Sequence, residues 1–531
     1  MAALPLTAAM MALHPRAARR SPLYRETSAD VYAMGTLHLI AYTVALGSLI
    51  ARVALSDFVD DAWITFIYAR NIAEGRGFIY SDLYPTWGTT TPGFTLLMAL
   101  AARIGLDIPL AARLVDFAAL VGQAVCLVAL ARLMRIQAYA SSIVLLWSIT
   151  WWLPGSFPGM EYGLFTALSL GAITSVAWRR FLLAAALAGL AAVVRPDGLW
   201  PMLLVACAYA FHTRLRDRPV AFALILLGPL TVWSLYALAT FGSVLPRTLE
   251  VRQVEAGTWG SFLPFIRLYY LDPSTATFHL VPMLAGGLLA AWKFPPMRWV
   301  ILYGVGHVAM YNVKGLPGLP QYLCPINTLA PLLTLALPAL VMRLRPARDA
   351  ALWLLLLCST LGCGWRAYYI SYYIWRMEFR TESHLAKWEG YEAAIRWMED
   401  HTPAEWTFAT NEIGYLGWRT NRTILEIGSL VNPEGLPYMR TGDLPGLMRS
   451  FDAPLLILPR VTESLYFSEG LDNSRYALLG EIASWDYGGV GVYVRRDLMD
   501  EPTIDDHREL LKAHARNVLR EHRGQLHAPL P

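Results

Sequence analysis

DFVDDAWITFIYARNIAEGRGFIYSDLYPTWGTTTP, residues Asp57–Pro92, is a polar stretch between two apolar ones. The apolar run before it ends near Leu55, and three carboxylates follow at once: Asp57, Asp60 and Asp61. Adjacent carboxylates at the mouth of a membrane helix bundle are candidates for binding a cation or for taking a proton from a substrate. The alternative is an ordinary extramembrane loop whose aspartates favour a helix start.

The same stretch predicts a helix lying on the membrane surface from Ala62 to Glu74, because its apolar residues recur at helical spacing. Gly75 and Gly77 are expected to end this helix. Thr91 is expected to cap the next helix, with Pro92 at its first position. Helical geometry places Asp57 and Asp61 on one face of this helix, together with Thr65 and Tyr68. Asp60 and Asn71 lie on the neighbouring face, together with Ile64 and Ile67.

Composition indicates a polytopic α-helical membrane protein. The chain of 531 residues is 56% hydrophobic and only 16% charged, whereas soluble domains carry about 25% charged residues. The first 370 residues or so contain apolar runs near 34–55, 110–131, 138–154, 162–178, 181–194, 199–213, 219–241, 277–292, 297–312, 323–342 and 349–367. The segment Gly93–Leu106 is too short to cross a ~30 Å hydrocarbon core comfortably.

The basic loops support one topology. If Gly93–Leu106 enters the membrane and returns without crossing, nearly every Lys/Arg-rich loop lies on one side, as the positive-inside rule requires. The prediction is therefore about eleven spans plus one re-entrant segment. Residues 1–33 form a cytoplasmic segment, 34–367 the transmembrane domain with an outer loop at 56–92, and 368–531 an extracytoplasmic domain.

That last domain has a different composition, with frequent charges and no further spanning run. A helix is predicted at 386–401, with short strands near 407–410, 423–427, 454–458, 476–482 and 491–494 and a helix at 445–451. The alternation indicates a small α/β domain. The charged tail from Asp505 fits either a terminal helix or a disordered end. No pattern typical of nucleic-acid binding or of an organic cofactor is present.

A second set of polar residues is predicted on the same side as the aspartate pair. It comprises Glu161, Arg195, Asp197, Arg247, Arg252, Lys314 and Gln321. A mixed acidic and basic cavity beside lipid suits a substrate that carries a phosphate and a hydroxyl to be activated. Each residue has a local alternative: Glu161 capping the next helix, Arg195 and Asp197 pairing within a turn, and Arg247 and Arg252 anchoring lipid headgroups. The histidines within apolar runs, such as His307, are expected to be packed core residues.

These motifs together resemble the integral-membrane GT-C glycosyltransferases, and among them the terminal β-(1→2) arabinofuranosyltransferases. The pattern D-D-x-x-I-x-x-R-x-A-x-N-x-x-x-G-x-G of those chains is matched from Asp60 to Gly77, with Ile67 where arginine is usual. Later elements match in order. They are Gly159-Met160-Glu161, Arg195-Pro196-Asp197-Gly198, the Phe241–Thr248 segment with Arg247 in place of a small polar residue, and Gln321-Tyr322-Leu323 with glutamine in place of arginine.

The resemblance implies an inverting transferase that takes a sugar, here arabinofuranose, from a polyprenyl-phosphate donor. It implies Asp60 as the general base, with Asp61 and Glu161 as orienting or metal-binding carboxylates. The expected substrate contacts are Tyr68, Arg70, Asn71, Arg195, Asp197, Arg247, Arg252, Lys314 and Gln321. A divalent cation such as Mg²⁺, Mn²⁺ or Ca²⁺ fits the carboxylates at Asp61 and Glu161.

The expected acceptor is a cell-wall or surface glycan outside a bacterial plasma membrane, with the N-terminus in the cytoplasm. Within the same superfamily, a mannosyl- or other hexosyltransferase stays open. Two non-enzymatic functions also stay open. One is transport of a lipid-linked sugar, which predicts broken spans or inverted repeats. The other is a silent membrane scaffold.

Overall fold

The structure is a computed structural model that describes residues 28–55, 58–150, 158–251, 254, 280–313, 320–344, 383–459, 475–482 and 489–526. Several sequence predictions lie outside these residues. They are the cytoplasmic segment before residue 28, the last apolar run at 349–367, and the candidate residues Asp57, Arg252 and Lys314.

Twelve helices are described before residue 345. They are α1 Ser28–Leu55, α2 Asp60–Ala73, α3 Pro92–Arg103, α4 Ile108–Leu133, α5 Ala140–Thr150, α6 Tyr162–Ala177, α7 Phe181–Val194, α8 Leu199–Thr213, α9 Pro219–Phe241, α10 Val281–Lys293, α11 Met297–Val313 and α12 Cys324–Leu344. Each apolar run of the sequence within the described residues forms a helix at the expected position, because an apolar segment in a membrane must satisfy its backbone hydrogen bonds internally.

Apolar side chains point outward on these helices. Two of the described helices, α4 and α9, are long and apolar enough to cross a membrane. On α9 the exposed large side chains include Val220, Leu224, Val232 and Leu235. A contiguous exposed apolar surface of this kind is typical of helices that face lipid. The number of spans stays a prediction from the sequence.

The polar stretch folds much as the sequence indicates. Helix α2 begins at Asp60, two residues earlier than predicted, and Gly75 and Gly77 follow it with positive φ angles of 84° and 95°. Eight of its 14 residues are buried, and its place on a membrane surface stays a prediction. Helix α3 begins with Pro92 and spans 12 residues, or about 18 Å, less than a membrane core. The prediction that the Thr91 side chain caps α3 is wrong, because the Thr91 hydroxyl lies 3.0 Å from the Thr89 hydroxyl instead.

The C-terminal part contains a mixed five-stranded sheet with helices. Its helices are α13 Ser383–His401, α14 Tyr415–Arg419, α15 Leu436–Thr441, α16 Leu444–Ser450 and α17 Glu501–Leu526. Its strands are β1 Phe408–Thr410, β2 Ile424–Glu426, β3 Leu455–Pro459, β4 Tyr476–Ile482 and β5 Val490–Arg495, in the order β2-β1-β3-β5-β4. Strand β1 is parallel to β2 and β3, and β5 is antiparallel to β3 and β4. The predicted α/β arrangement is confirmed, and the charged tail is a helix.

The first outer loop and the C-terminal domain share one hydrophobic core. Ile64, Ile67 and Tyr68 of α2 belong to the same buried cluster as Tyr391 and Trp397 of α13. The bundle helices form a separate, larger cluster. The C-terminal domain is therefore packed onto the polar stretch.

Candidate active site

A cavity of about 100 Å³ lies where α2, the loop before α3, the start of α6 and the end of α7 meet the C-terminal domain. Its polar lining consists of Asp61, Thr65, Thr89, Thr90, Thr91, Glu161, Tyr162, Arg195, Asp197, Thr248, Tyr311, Gln321 and Tyr322. The sequence separates these residues by up to 261 positions, but five of the predicted site residues meet here: Asp61, Glu161, Arg195, Asp197 and Gln321.

Arg195 is the centre of a buried hydrogen-bond network on one wall. Its Nε donates to Asp197 Oδ2 at 2.9 Å, and its Nη1 donates to Glu161 Oε1. The Tyr311 hydroxyl donates to the same Asp197 oxygen, and the guanidinium lies 4.2 Å from the ring centre of Tyr162. Glu161, Arg195 and Asp197 are all buried, so this network is held rigidly in one arrangement.

Local structure explains how these side chains converge. Glu161 immediately precedes α6, and Arg195 immediately follows α7 with an extended backbone. The two helices pack as neighbours, which brings the end of one next to the start of the other. Gly93, at the start of α3, lies so close to α7 that an added Cβ would be 3.0 Å from the carbonyl carbon of Val193. This close approach brings the threonines of the preceding loop to the cavity.

The cavity carries an excess of negative charge. Its charged lining among the described residues is three carboxylates, Asp61, Glu161 and Asp197, against the single guanidinium of Arg195. With all four groups ionised, these side chains carry a net charge of −2. Oxygen ligands with net negative charge are the set that Mg²⁺, Mn²⁺ or Ca²⁺ prefers. Asp61 and Glu161 are the predicted ligands of such an ion, and both line the cavity.

The aspartate pair is divided between two environments. Asp60, the predicted base, accepts hydrogen bonds from the backbone N–H groups of Gly414 and Tyr415, each at 2.9 Å. These amides are at the start of α14 in the C-terminal domain. Asp61 lines the cavity, and Asp60 is not among its lining residues. The carboxylate of the predicted base thus contacts the C-terminal domain, and its catalytic role stays a prediction.

Three other predicted substrate contacts on α2 lie outside the cavity lining. The Tyr68 hydroxyl donates to the Thr86 carbonyl at 2.8 Å, and Asn71 Nδ2 donates to the carbonyls of Ile79 and Tyr80, both at 2.8 Å. Both side chains are buried and organise the loop that follows α2. Neither residue lines the cavity, and their contact with substrate stays a prediction.

Arg70 also has a structural role. Its Nη1 donates to the Trp418 carbonyl at 3.2 Å, and its guanidinium lies 4.7 Å from the centre of the Trp418 ring. Like Asp60, it joins α2 to α14. Arg70 thus joins the polar stretch to the C-terminal domain, and its contact with substrate stays a prediction.

Arg247 lines a second cavity, of about 570 Å³. Its Nη2 donates to the Pro433 carbonyl at 2.8 Å. Leu249 lines both cavities, so they adjoin. Thr86, Trp87, Ser243 and Glu250 are among the other residues around this second cavity.

An apolar groove of about 390 Å³ lies between α10, α11 and α12. Its walls include Leu284, Leu288 and Val305, and it is also lined by Leu323. Leu323 directly follows Gln321 and Tyr322, which line the first cavity. One residue of the groove is therefore adjacent in the chain to two residues of the polar site.

Several site residues were not predicted from the sequence. Tyr311 lies inside an apolar helix, where its i+4 spacing from His307 gave only a weak signal. Leu430, from the C-terminal domain, also lines the cavity. His307 is a packed core residue as expected, with Nε2 at 2.9 Å from the Tyr322 carbonyl.

Glu426, at the end of β2, shapes the segment that carries Leu430. Its carboxylate accepts hydrogen bonds from the N–H groups of Leu430 at 3.1 Å, Val431 at 3.2 Å and Asn432 at 2.9 Å. Burial raises the pKa of Glu426 to about 7, and the backbone hydrogen bonds oppose that rise. The neighbouring Val431 carbonyl accepts a hydrogen bond from Thr86 at 2.6 Å, which ties this segment to the first outer loop.

Solved structures with a similar architecture are membrane glycosyltransferases. ArnT from Cupriavidus metallidurans aligns with a TM-score of 0.53 and 15% identity over 87% of this chain and 98% of ArnT. The oligosaccharyltransferase of Archaeoglobus fulgidus aligns with a TM-score of 0.52 and 11% identity over 85% of this chain and 74% of its own. The fold is the GT-C membrane fold.

The arabinofuranosyltransferase AftD from mycobacteria shares this GT-C fold, with a TM-score of 0.51 and 13% identity over 87% of this chain. Only 40% of AftD is covered. A family model described as a domain of unknown function, DUF8728, matches residues 377–500, which include most of the C-terminal domain. No curated protein matches the sequence.

Proposed function

We propose that this protein is an inverting glycosyltransferase that moves a sugar from a polyprenyl-phosphate donor to a glycan outside the plasma membrane of a bacterium. The observation that carries the proposal is the cavity itself. A carboxylate, Asp61, lies beside the buried Arg195 network at the mouth of a helix bundle with the GT-C fold. Such a cavity offers both a proton acceptor and a polar surface for a phosphate-bearing substrate.

Asp61 is the general base of the proposed reaction, in place of Asp60. It takes the proton of the acceptor hydroxyl while that oxygen attacks the anomeric carbon of the sugar. The bond between the anomeric carbon and the phosphate oxygen breaks, and polyprenyl phosphate leaves with its electron pair. The new bond forms on the opposite face of the sugar, which inverts the configuration.

The remaining cavity residues position the reactants. Gln321 and the hydroxyls of Thr89, Thr90 and Thr248 are donors and acceptors for the sugar and phosphate oxygens. Arg195 is already paired with two carboxylates, so it acts mainly by holding Glu161 and Asp197 in place. A divalent cation held by Asp61 and Glu161 would supply positive charge for the departing phosphate. Arg252 and Lys314 stay predicted phosphate contacts.

The apolar groove of α10, α11 and α12 supports a lipid-linked donor. A polyprenyl chain needs an apolar surface near a polar site, and Leu323 of the groove directly follows Gln321 and Tyr322 of the cavity. The adjoining cavity around Arg247 has room for a sugar and for the end of an acceptor. The likeness to AftD makes arabinofuranose the first donor sugar to test, with mannose as the alternative.

The decisive experiment compares Asp61→Asn with Asp60→Asn in purified full-length protein. Radiolabelled polyprenyl-phosphate donors, arabinofuranosyl and mannosyl, are incubated with a crude cell-wall acceptor, with and without Mg²⁺ or Mn²⁺. We expect Asp61→Asn to reduce transfer by a factor of roughly 10² to 10⁴ at an unchanged melting temperature, since it removes the base.

Asp60→Asn serves as the neighbouring control. It keeps one acceptor oxygen, so we expect a lower melting temperature and a smaller loss of transfer. If Asp61→Asn is fully active while Asp60→Asn is inactive and folded, the base is Asp60. If wild-type protein transfers neither sugar yet binds the donors, transport or scaffolding replaces catalysis as the function.

A further inference from the structure

Two helices of the C-terminal domain bring together three histidines and an aspartate that are not among the lining residues of the cavity. Asp400 and His401 end α13, and α17 carries His507 and His514. The last two are seven residues apart, so they lie on the same face of α17. Helices α13 and α17 pack against each other along this face.

The donor atoms at this place have the spacing of metal ligands. Nε2 of His401 and Nε2 of His514 are 3.3 Å apart, and Oδ2 of Asp400 is 3.6 Å from His514 Nε2. One ligand atom from each of the three residues lies within 4.8 Å of the others. In a tetrahedral site with zinc–nitrogen bonds of about 2.0–2.1 Å, adjacent ligand nitrogens are about 3.4 Å apart. The histidine pair has this separation.

His507 is a neighbour of this group rather than a member. Its Nδ1 accepts a hydrogen bond from Trp397 Nε1 at 3.3 Å, and its ring centre is 5.8 Å from that of His401. With Nδ1 as the acceptor, the neutral ring carries its proton on Nε2, so neither nitrogen is available as a ligand. His514 is 18% exposed and Asp400 61% exposed, which leaves room for water as a fourth ligand.

We propose that Asp400, His401 and His514 form a binding site for a zinc-like transition-metal ion that pins α17 to α13. Two imidazoles and one carboxylate are a donor set that suits Zn²⁺ and disfavours Mg²⁺ or Ca²⁺. The site is separate from the carboxylates of the cavity. An ion that binds only the folded arrangement stabilises it by mass action.

The test uses full-length protein purified in detergent and treated with EDTA. The metal content of untreated protein is measured first by mass spectrometry, followed by titration with Co²⁺ and Zn²⁺. We expect roughly one equivalent of zinc per chain, a visible absorption band of tetrahedral Co²⁺, and a melting temperature that rises with Zn²⁺ but not with Mg²⁺.

His514→Asn and Asp400→Asn each remove one ligand and should weaken Co²⁺ binding by more than about tenfold. His212→Asn is the matched control, because His212 lies on α8 and accepts a hydrogen bond from Trp299 Nε1 at 3.3 Å. Asp400 is largely exposed, so its variant should fold even if the histidine variant does not. The proposal would be overturned if EDTA-treated wild-type protein showed no absorption band on addition of Co²⁺, or if both variants still bound Co²⁺ as wild type does. Either result would leave an ordinary hydrogen-bonded histidine pair.

Discussion

Asp60 and Asp61 are consecutive in the chain, but their carboxylates face different parts of the protein. Successive residues on a helix are rotated by about 100°, so one faces α14 and the other the cavity. The sequence singled out the pair and the resemblance favoured Asp60 as the base, but local sequence gives no physical ground for ranking the two. That ranking depends on which face the C-terminal domain covers, and this domain begins more than 300 residues later in the chain.

The raised pKa of Glu426 predicts that the free energy of unfolding of the protein depends on pH. Its pKa is raised to about 7 in the folded protein, whereas an unfolded glutamate titrates near pH 4.3. Between these values the folded chain holds a proton that the unfolded chain has lost, so the free energy of unfolding falls as pH rises. The stabilisation is complete below about pH 4.3 and is lost as pH rises through about 7.

Thermal unfolding of wild type and Glu426→Gln, measured from about pH 4.5 to pH 8, tests this expectation. Glutamine cannot titrate, so the stability advantage of wild type over the variant should shrink as pH rises through this range. A difference that stays constant across the range would mean that Glu426 is ionised throughout. The same variant loosens the segment that carries Leu430, so a higher KM is also expected.

Helix α14 is the element that connects the outer loop to the C-terminal domain. At its start, backbone N–H groups donate hydrogen bonds to the Asp60 carboxylate. Near its end, two backbone carbonyls accept hydrogen bonds from the Arg70 guanidinium. Arg419 at its end donates to Glu392 of α13 at 2.8 Å. The five residues of α14 therefore link the polar stretch to the C-terminal domain beside the cavity.

Gly414→Ala is expected to break this connection. An added Cβ would overlap the backbone oxygen of Asp60, and no flexible side chain can move to accommodate it. We expect a lower melting temperature, altered fluorescence of the packed Trp63 and Trp418, and a large loss of transfer. Gly47→Ala is the control, because no atom lies within 4 Å of its added Cβ. Unchanged fluorescence and activity in Gly414→Ala would show that docking through α14 is dispensable.

The groove between α10, α11 and α12 makes a separate prediction about the donor. Leu284→Trp fills the groove from its rim, where the leucine is 51% exposed. We expect a higher KM for long-chain polyprenyl donors, with little change for a donor whose chain is too short to enter the groove. Leu224→Trp on α9, where the leucine is 68% exposed, is the control. Equal KM changes for long and short donors would remove the groove from the donor site.

At the scale of the whole molecule, α3 decides the topology. If its 12 residues enter and return, its end lies on the same side as the cavity. Ile104 is 75% exposed. The cysteine of an Ile104→Cys variant should then react with a membrane-impermeant maleimide added outside intact cells. Arg180→Cys, in the basic loop between α6 and α7, should react only after permeabilisation. The reverse labelling pattern would mean that α3 crosses fully and that the other loops change sides.

The sequence alone determined where the described helices before residue 345 and the five strands lie, because apolar periodicity, glycine and proline act within a few residues. It did not predict α14 or α15. It also identified most of the polar motifs that meet at the cavity, including Glu161, Arg195, Asp197 and Gln321. Only the tertiary structure decided which polar groups reach the cavity and which are used to join the two domains. Tyr68, Arg70 and Asn71 look like site residues by their spacing, but their partners are chosen by packing between distant segments, which local patterns do not encode.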